Sequence, residues 1–389
     1  MLPEGWSLVE AKEVCKSISV GVVIKPTQYY VDESKGVKAF RSANVREGFI
    51  NDSDWVYFSQ EGHAANKKSH LKSGDVLVVR TGYPGTACVV TPDFEGANAI
   101  DIVIARPDVN QITPDYLCAY TNSHQGKSQV LDLQGGMAQK HLNVGAYQVL
   151  KIKLPPLPEQ KKIAKILSTW DKAITITEQL LANSQQQKKA LMQQLLTGKK
   201  RLLDKNGVRF EGEWKRVELG DLLDYSQPTP YLVDSTDYSD EFSTPVLTAG
   251  KTFLLGYTNE ESGIFSENLP VIIFDDFTTD SKFVDFPFKA KSSAMKILKA
   301  KEGVSIKYVY EAMQLLDFSV GGHQRHWISI YSRLVIPFPE KEEQQKIAAV
   351  LSAADQEISA LQQKLDAFKQ EKKALMQQLL TGKRRTIIN

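Results

Sequence analysis

Cysteine is scarce in this chain. Cys15, Cys88 and Cys118 are an odd number without C-x-x-C spacing, which supports neither a disulfide framework nor a zinc site. Reduced thiols in a cytoplasmic protein are expected. No apolar run approaches the roughly eighteen residues of a membrane span. The opening MLPEGWSLVEAKE lacks a basic start followed by an apolar core, so no signal peptide is expected. Neither sign of charge dominates: the net charge is +2. A stand-alone nucleic-acid binder usually carries a clear basic excess, so any DNA affinity must come from a few placed cations or from a partner's charge.

Catalytic signatures are missing too. There is no G-x-G-x-x-G after a strand and no H-E-x-x-H, and the six histidines are scattered. The GKT at 250–252 resembles the end of a phosphate-binding loop, but Pro245 stands where the loop needs its first glycine. The tetrapeptide with which amino-methyltransferases hold a target amine is absent, since LPPLP has the prolines without the polar residue or the ring. The best enzymatic candidate is PVIIFDDFTTDSK, where Asp275 and Asp276 end an apolar run and Asp280 and Lys282 follow. Metal-dependent nucleases use such carboxylates for Mg²⁺ and a lysine beside the attacking water. Here only a short turn separates the acids, and a polar strand end is the simpler reading.

What is present is a repeat. KKALMQQLLTGK occurs at 188–199 and again at 372–383, and a shift of 184 residues aligns 158–201 with 342–385 at about 25 of 44 identical positions. Proline precedes each copy, Thr-Gly ends it, and no proline or glycine interrupts the span between. Each copy therefore reads as one helix of roughly 40 residues, about 60 Å long. Apolar residues recur alternately at four and three positions. They are Ile163, Leu167, Trp170, Ile174, Leu181, Leu191 and Leu195, then Ile347, Leu351, Ala354, Ile358, Leu361, Leu365, Phe368, Leu375 and Leu379. That is a heptad seam, and the natural partner of each rod is the other. An antiparallel coiled coil within one chain would relate the two halves by an approximate two-fold axis. Polar residues at Leu191, Leu195, Leu375 and Leu379 should then break assembly with partners and leave the globular domains intact.

Between the rods lie glycine, aromatics and β-branched runs such as DVLVVRTG, AIDIVIARP, PVIIFDD and SRLVIPFP, which read as strands. The expected class is α+β: a globular domain at 1–153, a helix and linker at 154–206, a second domain at 207–337 and a helix at 338–389. Their net charges are 0, +6, −6 and +2. Both domains open alike, around Trp6 and Trp214, and both tryptophans are expected to pack in the cores. Both close on a Gly-Gly segment followed by an apolar strand.

The proline approach, the EQ-x-K-I-A helix start and the doubled LLTGK ending resemble the specificity subunit of type I restriction–modification systems, over the whole chain. The resemblance implies two target-recognition domains, each reading one half of a split double-stranded DNA target, and no catalytic centre. It implies two methyltransferase subunits as partners, carrying S-adenosylmethionine, and motor–nuclease subunits using ATP and Mg²⁺. No cofactor or metal is expected in this chain. The rods would act as a ruler for half-sites separated by roughly one DNA turn, about 34 Å, and dock the methyltransferases. The −6 on the second domain implies that partners supply basic surface, because phosphate neutralisation dominates affinity.

Base reading needs donors and acceptors on loops. The candidates in the first domain are Arg41, Asn44 and Arg46, then Arg80, Thr81 and Tyr83 beside Gly82 and Gly85, then Gln134, Gln139 and Lys140 around Gly135 and Gly136. In the second they are Thr248, Lys251 and Tyr257, then Thr278, Thr279 and Lys282, then His323, Gln324 and Arg325 after Gly321 and Gly322. Two other readings stay open: a coiled-coil scaffold that never touches bases, and a Mg²⁺-dependent nuclease using Asp275, Asp280 and Lys282.

Overall fold

The computed structural model describes residues 2–132, 141–250, 252–318 and 326–386. Gln134, Gln139, Lys140, Lys251, His323, Gln324 and Arg325 lie outside the described residues. The chain is an α+β protein that divides into two compact units. Unit 1 comprises Met1–Glu178 with Gln363–Asn389, and unit 2 comprises Gln179–Gln362. Each unit thus holds one globular domain, part of one long helix and part of the other.

The long helices span Leu157–Leu195 and Lys341–Leu379. Nothing inside either span breaks the backbone ladder. Each stops where Gly198 or Gly382 adopts a left-handed conformation (φ 73° and 75°), the region that glycine enters without steric cost. In unit 1 the two helix segments run antiparallel. Trp170 sets its ring edge on Phe368 at 5.5 Å, Lys369 pairs with Glu178 at 2.8 Å, and Lys372 pairs with Asp171. In unit 2 the segments are again antiparallel. Ser184 donates to Glu357 at 3.2 Å, and Lys188 reaches Asp355 at 2.6 Å.

The domains share a plan. In unit 1 an antiparallel sheet orders Cys15–Val20, Ile102–Pro107, Val76–Val79 and Ala87–Val89. In unit 2 the order is Leu223–Ser226, Met295–Ala300, Val271–Asp275 and Ser281–Val284. The strands VLVV and VIIF are buried at every position, as expected of short apolar runs covered on both faces. A two-stranded ribbon closes each domain, Ser7–Glu10 on Lys151–Leu154 and Lys215–Glu218 on Val335–Phe338. Each ribbon joins the start of a domain to its end.

The rods do not merely touch these domains; their ends are part of the cores. Ile163, Leu167, Leu379 and Leu380 lie in one buried cluster with Val76, Val103, Tyr116 and Tyr147. Leu195, Leu196, Ile347 and Leu351 lie in another with Ile272, Phe274, Leu298 and Tyr308. This corrects the expectation that polar residues at the seam ends would spare the domains. Leu195 is 0% and Leu379 2% exposed, so a polar group there enters a domain core. Leu191 and Leu375 are half-buried at the margins of the same clusters, as are Ile174 and Ile358 in the seam, while Leu365 is buried.

A charged clasp locks each junction. In unit 1 Glu159 is fully buried. It accepts from Trp6 Nε1 at 3.0 Å and from two nitrogens of Arg385 at 2.9 Å each. In unit 2 Glu343 accepts from Trp214 Nε1 at 3.0 Å and from two nitrogens of Arg201 at 2.7 Å each. Each arginine lies over its tryptophan ring, at 5.9 and 5.3 Å. Each arginine also donates to the backbone carbonyl two residues before its tryptophan, Glu4 at 3.1 Å and Gly212 at 2.8 Å. The residue after each glutamate repeats the theme. Gln160 donates to the Pro155 carbonyl and accepts from Thr113 N–H, both at 2.9 Å. Gln344 donates to the Pro339 carbonyl at 2.8 Å and accepts from Ser305 N–H at 2.9 Å. The EQ and the GK[KR]R of the repeat are therefore two ends of one joint. Trp6 and Trp214 are not only core residues but its donors.

Truncating Leu195 to alanine should cost about 2–5 kcal/mol and release amide protection across Val271–Asp275 and Met295–Ala300, read by hydrogen exchange with mass spectrometry. Leu379→Ala should do the same across Val76–Val79 and Ile102–Pro107. The clasp also gives a pH dependence. Burial pushes the Glu159 carboxyl up, but the hydrogen bonds from Arg385 and Trp6 outweigh it and hold the group below its ordinary value of 4.5. Its stabilisation is complete above the unfolded value and is lost as the pH falls through the folded one. Acid unfolding of unit 1, followed by exchange at Ser7–Glu10, should lose part of its steepness below about pH 4.5 in Glu159→Gln.

Candidate nucleic-acid interface

The central strand of each sheet runs into a polar turn at the same place in the fold, and the two turns differ completely in sequence. After Val76–Val79 come Arg80, Thr81, Gly82, Tyr83, Pro84 and Gly85. Gly82 and Gly85 take φ of 91° and 85°, so the backbone folds back sharply and Gly85 N–H returns to the Val79 carbonyl at 3.0 Å. Tyr83 at the tip is 83% exposed. A ring with that exposure is available for stacking or groove contact. Thr81 is exposed beside it and shares a 2.9 Å hydrogen bond with His141.

Arg80 belongs to the structure beneath the tip. It is 8% exposed, donates from Nε to the Leu142 carbonyl at 2.9 Å, pairs with Asp101 at 2.5 Å and bonds to His141 Nε2. A guanidinium spent on three partners has no fork left for guanine. Asn44 is likewise withdrawn from the candidate readers. It is 0% exposed and closes its own loop, donating to the Asn51 and Ser53 carbonyls at 3.2 and 2.9 Å and accepting from Arg41 N–H at 2.9 Å. Arg41 pairs with Asp54 at 2.9 Å. Arg46 is exposed, with contacts only to the carbonyls of Ser42 and Val45 at 3.4 and 3.1 Å. In the first domain Arg46, Thr81 and Tyr83 are therefore the candidates with surface to offer.

In unit 2 the equivalent turn follows Val271–Asp275. Asp275 Oδ1 accepts from Phe277 N–H at 2.8 Å and Thr278 N–H at 3.0 Å, and Thr279 sits at φ 62°. This fold-back leaves Phe277, 41% exposed, and Thr278 at the tip. Phe277 takes the place of Tyr83. It was missed in the sequence because an apolar residue inside FDDFTT looks like strand. Lys282 lies half-buried on the neighbouring strand opposite Ile273. Thr248 donates to the Thr252 carbonyl at 2.7 Å, and Tyr257 is half-buried on Leu254–Thr258.

The paired aspartates that end the PVIIFDD strand are engaged within the fold. Asp275 is consumed in its turn. Asp276 is fully buried, accepts from Trp327 N–H at 2.9 Å and faces Lys296, also fully buried, at 3.4 Å. Among the described residues no three His, Cys, Asp or Glu side chains are placed to hold a metal. The three cysteines are unpaired, and burial pushes the thiols of Cys15 and Cys88 up to about 12. Among the described residues no helix is long and apolar enough to cross a membrane.

Asn44→Ala should lower the stability of unit 1 by about 1–3 kcal/mol, the cost of two orphaned carbonyls. Tyr83→Ala should stay within about 0.5 kcal/mol. Urea unfolding of the two variants checks both.

The model for the type I restriction modification DNA specificity domain matches residues 3–183 and again 211–370. A stretch of 147 residues is 51% identical to the Escherichia coli type I restriction enzyme EcoR124I/EcoR124II specificity subunit, covering 36% of this chain and 36% of that one. A putative type I restriction enzyme specificity subunit of Methanocaldococcus jannaschii, MjaX, is 25% identical over 98% of this chain and 94% of its own. Among solved structures, the S subunit of a type I system from M. genitalium shares the fold at a TM-score of 0.66 and 13% identity, with 100% of this chain and 99% of that one covered. Two matches to one domain model, each falling on one globular domain and the start of the helix that follows, make this chain a member of the type I restriction–modification specificity-subunit family.

Proposed function

We propose that each globular domain reads one half of a bipartite DNA target, and that the chain itself performs no catalysis. The observation that carries this is the pair of turns. The same sheet, strand and joint recur in both units, whereas the exposed turn is RTGYPG in one and DDFTTD in the other. A scaffold that only held partners would have no need of two different tips on one architecture. Tyr83 and Thr81 on the first, with Phe277 and Thr278 on the second, offer ring faces and hydroxyls for base edges and thymine methyl groups. Arg46 offers the first domain an exposed guanidinium, hydrogen-bonded through Nη1 to the Ser42 and Val45 carbonyls.

The two 39-residue helices, each about 58 Å long at the standard rise, set the separation between the half-sites. Two grooves at equivalent helix positions support docking of two copies of one methyltransferase partner. The groove in unit 1 has a volume of about 1050 Å³ and is lined in part by Lys172, Ile176, Lys369 and Lys373. The one in unit 2 has about 480 Å³ and is lined by Gln185, Lys189, Met192 and Ile358 among others. S-adenosylmethionine, and ATP with Mg²⁺ where motor–nuclease subunits join, would be carried by those partners in the cytoplasm. The acidic second domain, with its net −6, leaves phosphate neutralisation to partner surface.

Replacing residues 1–153 with the first domain of another family member tests this reading. Mapping methylated adenines in cells should show one half of the split target changed and the other half kept. An unchanged methylation sequence would leave the chain as a scaffold.

A further inference from the structure

Each domain carries a histidine in one chemical state at one place. The Gly-Gly segment of each domain is followed within a few residues by His141 or His326. In unit 1 Arg80 donates to His141 Nε2, so that nitrogen is the acceptor. Nδ1 then carries the proton and faces Thr81 Oγ1 at 2.9 Å. In unit 2 His326 Nδ1 lies 2.9 Å from the Asp276 carbonyl, an acceptor, so Nδ1 again carries the proton. Arg80 and Asp276 hold matching positions, each two residues beyond a strand residue, Val78 or Phe274, whose side chain enters the core shared with the helices.

The supports differ in residues but not in design. In unit 1 the ion pair of Arg80 with Asp101 backs the histidine, and Arg80 Nε holds the carbonyl of the next residue, Leu142, at 2.9 Å. In unit 2 the buried pair of Lys296 with Asp276 backs it, and Asp276 Oδ1 holds the N–H of the next residue, Trp327, at 2.9 Å. The Asp276 carbonyl also accepts from His326 N–H at 2.9 Å. Each unit therefore uses an ion pair at the end of its central strand to seat one histidine and the backbone after it. An ion pair, buried as in unit 2 or half-exposed as in unit 1, stabilises little by itself. Two of them, built from unlike residues to hold the same group, mark a geometric role.

We propose that His141 and His326 are latch residues. Each ties the chain at its own position, 141–142 or 326–327, to the exposed turn that starts at Arg80 or Asp275, and so positions the base-contacting surface of its own domain. They are positioning residues, since both act through the turns at 80–85 and 275–280. The inference rests on the base-reading proposed above.

The test uses the full chain assembled with its methyltransferase subunits. Three DNA duplexes are compared: the methylated sequence mapped in the source genome, the same with the first half-site scrambled, and the same with the second scrambled. In the native complex each scrambling weakens binding, and the penalty for each half is measured. His326→Ala should shrink the second-half penalty by about tenfold or more, within the range that single mismatches produce, and leave the first-half penalty unchanged. His141→Ala should do the reverse. His326→Asn, whose amide N–H replaces Nδ1–H, should restore the second-half penalty, which guards against a variant that has simply lost its fold. Retention of the second-half penalty in His326→Ala overturns the latch, as does an equal fall in both penalties. A native complex that binds all three duplexes alike would overturn the base-reading itself, and the latch with it.

Discussion

The structure depends on a carboxylate taken out of water at each junction. Glu159 and Glu343 are 0% and 1% exposed, and desolvating an ion costs several kcal/mol. The cost is met only because each carboxylate is hydrogen-bonded on both oxygens by one guanidinium fork and an indole N–H. A fork of that geometry belongs to arginine alone. The tryptophan comes from the start of the domain, the glutamate from the start of one helix and the arginine from just beyond the end of the other. Three remote parts of the chain must arrive together, or a charge is left buried without a partner. This makes the joint a condition for the unit, not an ornament upon it. The left-handed glycine before each arginine has its reason here, because it turns the chain from helix axis to glutamate within three residues.

The same constraint explains why KKALMQQLLTGK is written twice. A partner surface touching both copies is one reason to keep a helix end constant. The structure supplies another that acts within the chain. Leu195, Leu196, Leu379 and Leu380 fill the floors of the cores, Gly198 and Gly382 make the turn, and Lys188 and Lys372 pair with Asp355 and Asp171 on the facing helix. Those aspartates are themselves identical in the repeat. In both ion pairs of the repeat, glutamate with arginine and lysine with aspartate, the two partners are thus kept together.

Much of this was legible in the sequence. Prolines and glycines delimit both helices, period-3.5 apolar positions mark their seam, and the apolar runs are strands. The joint was written there too, since Glu159 and Glu343, and Arg201 and Arg385, match under the repeat, and Trp6 and Trp214 open the two domains alike. Their contact was not visible, because the three residues of each set are scattered over more than a hundred positions. The candidate readers were harder to judge. Arg80 and Asn44 have the right chemistry for bases, but the same donors satisfy buried carbonyls, and composition does not say which use is made. Phe277 erred in the other direction, since exposure rather than residue type makes it a candidate. Asp275 and Asp276 look like metal ligands in sequence because a turn and a buried anchor need the same carboxylates.

The contacts between helices and domains divide by type, and the division bears on how such a chain changes its target. Gln160 and Gln344 bond to backbone at Pro155, Pro339, Thr113 and Ser305. Arg385 and Arg201 bond to backbone at Glu4 and Gly212. Backbone acceptors and donors persist whatever side chains a domain carries. The exception is in unit 2, where Lys307 and Glu311 join Lys188 and Asp355 in a four-charge network with contacts of 2.6–3.1 Å. The matching helix of unit 1, capped in the same way by Thr113, has Asp115 and Ala119 at those positions, and there Lys372 and Asp171 pair without them. Because the shared joint takes from a domain only its opening tryptophan and backbone groups, and unit 1 does without the network, the helices can hold domains whose surfaces have little in common. The turns can then diverge while the joint stays constant.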